Sequence, residues 1–161
     1  MADESLSAQA PSLAAVDRLA RTRARWDSHP LHQYFGLTLE DVREGYARCV
    51  MNANEHNRGG VHGAAHGGVL AFLCDVAALA AVHTMLRSDE RAAGTAELNI
   101  SYLSPAVGGV VAEARVLRKG RTLAVTDLDL RDAAGKLLAK GRVSYALHPV
   151  ALADASRDGS Q

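Results

Sequence analysis

The sequence predicts an α+β domain in which a curved antiparallel sheet holds one long helix on its concave face. Two stretches carry that prediction. Residues 69–82, "VLAFLCDVAALAAV", are apolar except for Asp75. The run falls short of the ~20 apolar residues of a membrane span and, being apolar on every side, belongs to a helix that must be covered all round. The cover comes from "GTAELNISYLSPAVGGVVAEARVLRKGRTLAVTDLDLRDAAGKLLAKGRVSYALH". There, period-two alternation and turn signals at "VGG", "RKGR" and "AAGK" read as four strands joined by tight hairpins, an antiparallel meander.

At the start of the chain, "MADESLSAQA" is acidic and rich in small residues and lacks the basic flank and apolar run of a secretory signal. Residues 1–10 are therefore expected to be a disordered tail. "PSLAAVDRLARTRARWDS" spaces Leu13, Val16, Leu19, Arg23 and Trp26 as an extra N-terminal helix, with Arg18, Arg21, Arg23 and Arg25 on a face that reads as solvated. "YFGLTLEDVREGYARCVMNA" alternates around "REGY", which suggests two short strands or one bent hairpin. A loop and the glycine-rich "HNRGGVHGAAHGG" then open directly into the long helix. In the strand that follows, Ala96, Leu98, Ile100 and Tyr102 alternate with Thr95, Glu97, Asn99 and Ser101, the pattern of a half-buried strand. The domain spans 11–149, and 150–161 is expected to be a second disordered tail.

With 161 residues the chain is one domain, large enough for its own core. Lysine plus arginine number 18 and aspartate plus glutamate 18, so no net basicity points to nucleic acid or to an anionic membrane. Cys49 and Cys74 fall in a strand and a buried helix, without metal-knuckle or disulfide-framework spacing; free thiols in a reducing cytoplasm are the simplest reading.

The long helix begins at Gly67 and Gly68, preceded by His66. Its first amides have no partner within the helix and, with the positive end of the dipole, form an anion site. Glycines let a carbonyl approach the backbone, which is one way to build an oxyanion hole; a loop needing glycine only for its turns fits as well. Asp75 poses a separate question, since an ionised group in apolar surroundings is costly unless paired or hydrogen-bonded. It is either a reacting group or a carboxylate satisfied by a neighbouring hydroxyl or amide. Asp75 lies eight residues beyond Gly67, ~12 Å along the axis. If both act on one carbonyl, they come from two subunits related by a two-fold axis.

"HGGVLAFLCDVA", "AELNISYLSPA" and "RKGRTLAVTDLDLRDAAGKLLAKGRVSYAL" together resemble the hotdog-fold acyl-CoA thioesterases of the phenylacetic-acid-degradation type, within the 4-hydroxybenzoyl-CoA thioesterase-like superfamily. The resemblance implies a hotdog fold and hydrolysis of an aryl, arylacetyl or medium-chain acyl-CoA. It makes Asp75 the base or nucleophile and the Gly67 amide the oxyanion donor, with His66, Gly68 and Thr95 at the substrate. It also implies a homodimer as the minimum active unit and a homotetramer beyond it. No cofactor is implied, coenzyme A being part of the substrate. Where such proteins commonly carry an asparagine, six residues before the His66 position, this chain has Gly60; the nearest candidate is Asn57. Arg118, Lys119 and Arg121, around a turn holding no acid, suit the phosphates of coenzyme A; an exposed basic hairpin tip that serves solubility fits the same residues.

Other readings are weaker. A hydratase of this fold resembles Asp followed five residues later by His, but that position is Ala80 and His83 is eight away. A non-catalytic acyl-CoA-binding module gains nothing from a desolvated carboxylate. A zinc site at His56, His62 and His66 finds only Glu55 as a further ligand.

Overall fold

The computed structural model describes residues 13–150; the tails expected at 1–10 and 150–161 lie outside the described residues, apart from Val150. Helix α1 (Leu13–Asp27) and the short α2 (Pro30–Tyr34) lead into strands β1 (Leu37–Arg43) and β2 (Tyr46–Met51), then helix α3 (Gly67–His83) and strands β3 (Glu90–Tyr102), β4 (Val110–Lys119), β5 (Leu123–Arg131) and β6 (Leu137–Pro149). All six strands form one antiparallel sheet in the order β1-β2-β4-β5-β6-β3. The expected α+β architecture, a sheet around one apolar helix with an extra helix before it, is the one observed.

The meander holds only for β4, β5 and β6. Strand β3 does not pair with β4; it crosses to the far side of β6, and β4 pairs with β2 instead. The "VGG" turn is not a tight hairpin, because residues 103–109 are tied elsewhere. The Leu103 and Ser104 amides donate to Leu138 O at 2.9 and 3.0 Å, and Ala106 O accepts from Ala65 N at 2.8 Å. The crossing makes β3 a sheet edge, and most of its residues are exposed.

Helix α3 packs against every strand and against α1. Leu70, Leu73, Cys74, Ala77, Ala81 and Val82 are buried by the sheet; each leucine so placed contributes about 1.5–3 kcal/mol. The cover is incomplete, contrary to expectation. Phe72, Asp75 and Leu79, at successive three- and four-residue steps, and Ala71 beside Phe72 are only half buried and leave an open apolar stripe with Asp75 in it. At the C-terminal end of α3, Arg18 Nε donates to Thr84 O at 3.0 Å, and Gly45 N to Thr84 Oγ1 at 2.8 Å. A cation on the last carbonyls suits the helix dipole.

The inward stripe of α1 runs through Ala15, Leu19, Thr22 and Trp26, while Val16, expected to face in, is 49% exposed. Arg23 donates to Leu39 O, so this arginine, like Arg18, is spent on backbone carbonyls. The sheet's outer face carries cross-strand ion pairs, among them Lys140 with Asp127 and Asp129 and Arg142 with Asp127. Both cysteines are free and buried.

His83, in the last turn of α3, is lowered from 6.5 to about 4 by burial, with the nearby Arg25 charge adding to it. Its folded form favours the neutral ring, so the stability it confers is complete above about pH 6.5 and is lost as pH falls toward 4. Between pH 7.5 and 5 this single group is expected to cost about 2 kcal/mol. Urea unfolding at the two pH values should show the wild type losing that much more than His83→Gln. Equal losses in both proteins would rule out His83 as the source.

Candidate active site

At the start of α3, backbone hydrogen bonding singles out one amide. His66 is the N-cap, and its Nδ1 accepts from Gly68 N at 3.0 Å, which places the ring proton on Nε2. Val69 N and Leu70 N both donate to His66 O, at 2.9 and 3.1 Å. Among the first four helix amides only that of Gly67 has no acceptor among the described residues. The Tyr102 ring lies so close that a Cβ at Gly67 would come within 3.3 Å of its Cζ, and the Tyr102 hydroxyl donates to Gly67 O at 2.7 Å. The amide that the resemblance makes the oxyanion donor is thus the one left free, and a side chain at this position would crowd the exposed Tyr102 ring.

The loop before it is folded on itself. Arg58 bridges to Ala65, and the amides of Gly59 and Gly60 both reach Ala64 O. A Cβ at Gly60 would meet Ala65 O at 2.6 Å, so no asparagine fits there without rebuilding the loop. Asn57, expected at the substrate, is instead buried and fully committed to the backbone. Its Nδ2 donates to Phe35 O at 3.1 Å and Asn52 O at 2.7 Å, and its Oδ1 accepts from Asn54 N at 3.0 Å. Its own carbonyl accepts from His66 N at 3.0 Å. Asn57 holds the loop, and its side-chain amide is taken up by backbone groups.

Asp75 sits on the open stripe of α3 with its carboxylate met by two hydroxyls. Thr95 Oγ1 from β3 and the Tyr145 hydroxyl from β6 each donate to Asp75 Oδ1 at 2.7 Å. No lysine, arginine or histidine among the described residues forms an ion pair with it. Burial first, and then the bond to Asp75, push the Tyr145 phenol well above its ordinary range, with the Thr95 hydroxyl opposing. Tyr145 therefore stays protonated and remains a donor.

Thr95 reaches Asp75 because β3 carries an extra residue. Thr95 pairs with Tyr145 but Glu97 with the adjoining Ser144, so Ala96 is bulged out and the side-chain parity reverses. Thr95 consequently shares the helix-facing side with Leu98 and Ile100, not the opposite side that strict alternation assigns to it. Tyr145 was not anticipated, although its place between the inward Val143 and Leu147 in "VSYAL" was a signal that its hydroxyl points toward the helix.

The basic turn divides. Lys119 Nζ pairs with Glu90 Oε2 at 2.6 Å, both side chains mostly buried. Burial opposes the Glu90 charge, but Lys119 and the Arg87 amide outweigh it and hold the carboxyl below its usual range. The absence of an acid within the turn misled here: Glu90 arrives from the start of β3, and Lys119 is not available to a ligand. Arg118 and Arg121 are exposed. A shallow recess lined by Glu97, Asn99, Asp127, Lys140 and Arg142 lies on the sheet's outer face, across the sheet from Asp75, and its charges neutralise one another.

A family model described as "Thioesterase superfamily" matches residues 62–139. A Halobacterium salinarum protein that carries an esterase name is 35% identical over 140 residues, 81% of this chain and 93% of that one. Human acyl-coenzyme A thioesterase 13 is 38% identical over 110 residues, 66% of this chain and 76% of that one. Among solved structures, a mutant thioesterase from Pseudomonas aeruginosa superposes with a TM-score of 0.73 at 22% identity, covering 89% of this chain and 98% of that one. The Escherichia coli PaaI protein, from the phenylacetic acid degradation operon, gives 0.70 at 21%, covering 84% and 95%. At such identity the structural likeness bears on the fold alone.

Proposed function

This chain belongs to the thioesterase superfamily and is a thioester hydrolase, and we propose that it cleaves an acyl-CoA carrying an aryl, arylacetyl or medium-chain acyl group, with Asp75 as base or nucleophile. The observation that carries the proposal is a carboxylate on an open apolar stripe, held by two neutral hydroxyls and no cation. Such a group has no cation among the described residues to neutralise it and stands beside an apolar surface suited to an acyl chain. As base, Asp75 takes a proton from water while the water oxygen bonds to the thioester carbon. The carbonyl electron pair moves onto oxygen, where the Gly67 N–H meets it. Collapse of that adduct breaks the carbon–sulfur bond, and the proton passes to the departing CoA thiolate. As nucleophile, Asp75 attacks the thioester carbon; the carbon–sulfur bond breaks, CoA leaves as a thiolate that takes a proton from water, and water then opens the resulting anhydride to give the free acid and restore the Asp75 carboxylate.

Gly67 and Asp75 are eight residues apart on one straight helix, ~12 Å along its axis, which supports a site completed by a second copy of the chain. The exposed edge of β3 and the open stripe of α3 support the same homodimer. Pairing of dimers into a tetramer, and the assignment to the phenylacetic-acid-degradation type, rest on motif resemblance. The cytoplasm is the compartment that suits two free thiols. No helix among the described residues is long and apolar enough to cross a membrane.

A panel of acyl-CoA esters followed by free-thiol release tests this reading, and failure to cleave any of them would overturn it. On the best substrate, Arg121→Ala is expected to raise KM, more so at low salt where exposed charges are least screened. A truncated pantetheine thioester, which lacks the nucleotide phosphates, should be cleaved almost as before. Equal effects on both substrates would mean that Arg121 supports the fold and does not grip phosphate.

A further inference from the structure

We infer that Tyr145 is a positioning residue: with Thr95 it fills both lone-pair sites of Asp75 Oδ1, which leaves Oδ2 as the oxygen that takes the proton or attacks. The inference rests on the hydrolytic reading of Asp75 above. A carboxylate oxygen offers two in-plane lone pairs. Two hydroxyl protons arrive at Oδ1, each across 2.7 Å, and no donor among the described residues reaches Oδ2. One oxygen is thereby anchored and the other is open.

The two donors come from different strands, β3 and β6, that are hydrogen-bonded neighbours with Thr95 opposite Tyr145. Their spacing is set by the sheet, so the carboxylate plane is fixed before substrate arrives. The Tyr145 hydroxyl also lies 3.1 Å from Asp75 O, which keeps it over this turn of the helix. Tyr145 is 3% exposed and touches Asp75 from the core side. It acts on the reaction through Asp75 and does not contact the substrate.

The groups facing Asp75 are few. Thr95 comes from β3, Tyr145 from β6, and Cys74 is its neighbour on α3. Burial, and secondarily the Asp75 charge, push Cys74 up to about 12, so neither Cys74 nor Tyr145 changes charge between pH 5 and 9. No charged side chain of α1, β1, β2, β4 or β5 forms an ion pair with Asp75 among the described residues. Donors to a carboxylate favour its ionised form. Taking one away moves the acidic limb of the kcat/KM profile to higher pH.

The experiment compares Tyr145→Phe, Thr95→Val, Thr95→Ser and Asp75→Asn, all in the full chain, with melting temperature as the control for folding. Tyr145→Phe and Thr95→Val should each lose about tenfold or more in kcat, the scale of a hydrogen bond to a charged group, with KM little changed and the acidic limb shifted upward. Thr95→Ser, which keeps the hydroxyl, should restore both kcat and the limb. A Tyr145→Phe enzyme with wild-type kcat and an unmoved limb, beside an inactive Asp75→Asn, would overturn the positioning role alone. Normal turnover by Asp75→Asn would overturn the hydrolytic reading and this inference with it.

Discussion

Asp75→Asn is expected to lose at least ~10²-fold in kcat, the range that removal of a general base costs, while keeping its fold. The substitution is close to isosteric. The amide oxygen can still accept from Thr95 and Tyr145, the two donors that now converge on Oδ1, so the packing of β3 and β6 over α3 need not change. What is lost is the second carboxylate oxygen, replaced by an NH2 that can neither take a proton from water nor attack a thioester. Steady-state thiol release, with affinity for an uncleavable acyl-CoA analogue as control, separates the outcomes. Near-normal turnover would remove Asp75 from the chemistry, and loss of analogue binding in step with turnover would make it a binding residue.

Gly67→Pro should cost a comparable ~10²–10³-fold, the loss seen when an oxyanion donor is removed. Proline deletes the N–H and adds its ring at a position whose backbone suits it. Gly67 is the first residue of α3, where proline is favoured, and His66 before it has ψ 135, in the extended region that a following proline demands. The new Cβ would lie 3.3 Å from the exposed Tyr102 ring, which is free to move aside. Co-expressing Gly67→Pro with Asp75→Asn under two affinity tags isolates mixed dimers. If amide and carboxylate come from different subunits, one of the two sites in each mixed dimer is intact, so the isolated mixed dimers should show about half of wild-type activity. Mixed dimers as inactive as their parents would place a complete site within each chain.

How far such expectations could be read without a structure differs from residue to residue. The free amides at the start of α3 were legible, because helix geometry leaves the first amides without carbonyl partners and the adjoining glycines show where the helix begins; the choice of Gly67 among them came from the resemblance. Asp75 was legible as an anomaly, one acid in fourteen residues of apolar helix. The N-terminal helix, the short hairpin and the four long strands were legible from local periodicity, since side-chain spacing follows directly from the rise of each element. What Asn57 does was not legible, because the sequence shows only that a loop contains an asparagine and not that backbone groups of Phe35, Asn52 and Asn54 already occupy its amide.

What local pattern could not supply is everything that depends on where distant segments meet. The edge position of β3 depends on residues 103–109 being tied to Leu138 and Ala65, contacts between segments tens of residues apart. Strict alternation sent Thr95 to the wrong face, and only the pairing with β6 exposes the bulge at Ala96 that turns it toward Asp75. Lys119 looked free because its partner, Glu90, is 29 residues earlier in the chain. Periodicity is a property of one segment's backbone and is written in that segment. Register, bulges and ion pairs are set by the balance of packing and hydrogen bonding between two segments, and that balance exists only once the chain has closed on itself.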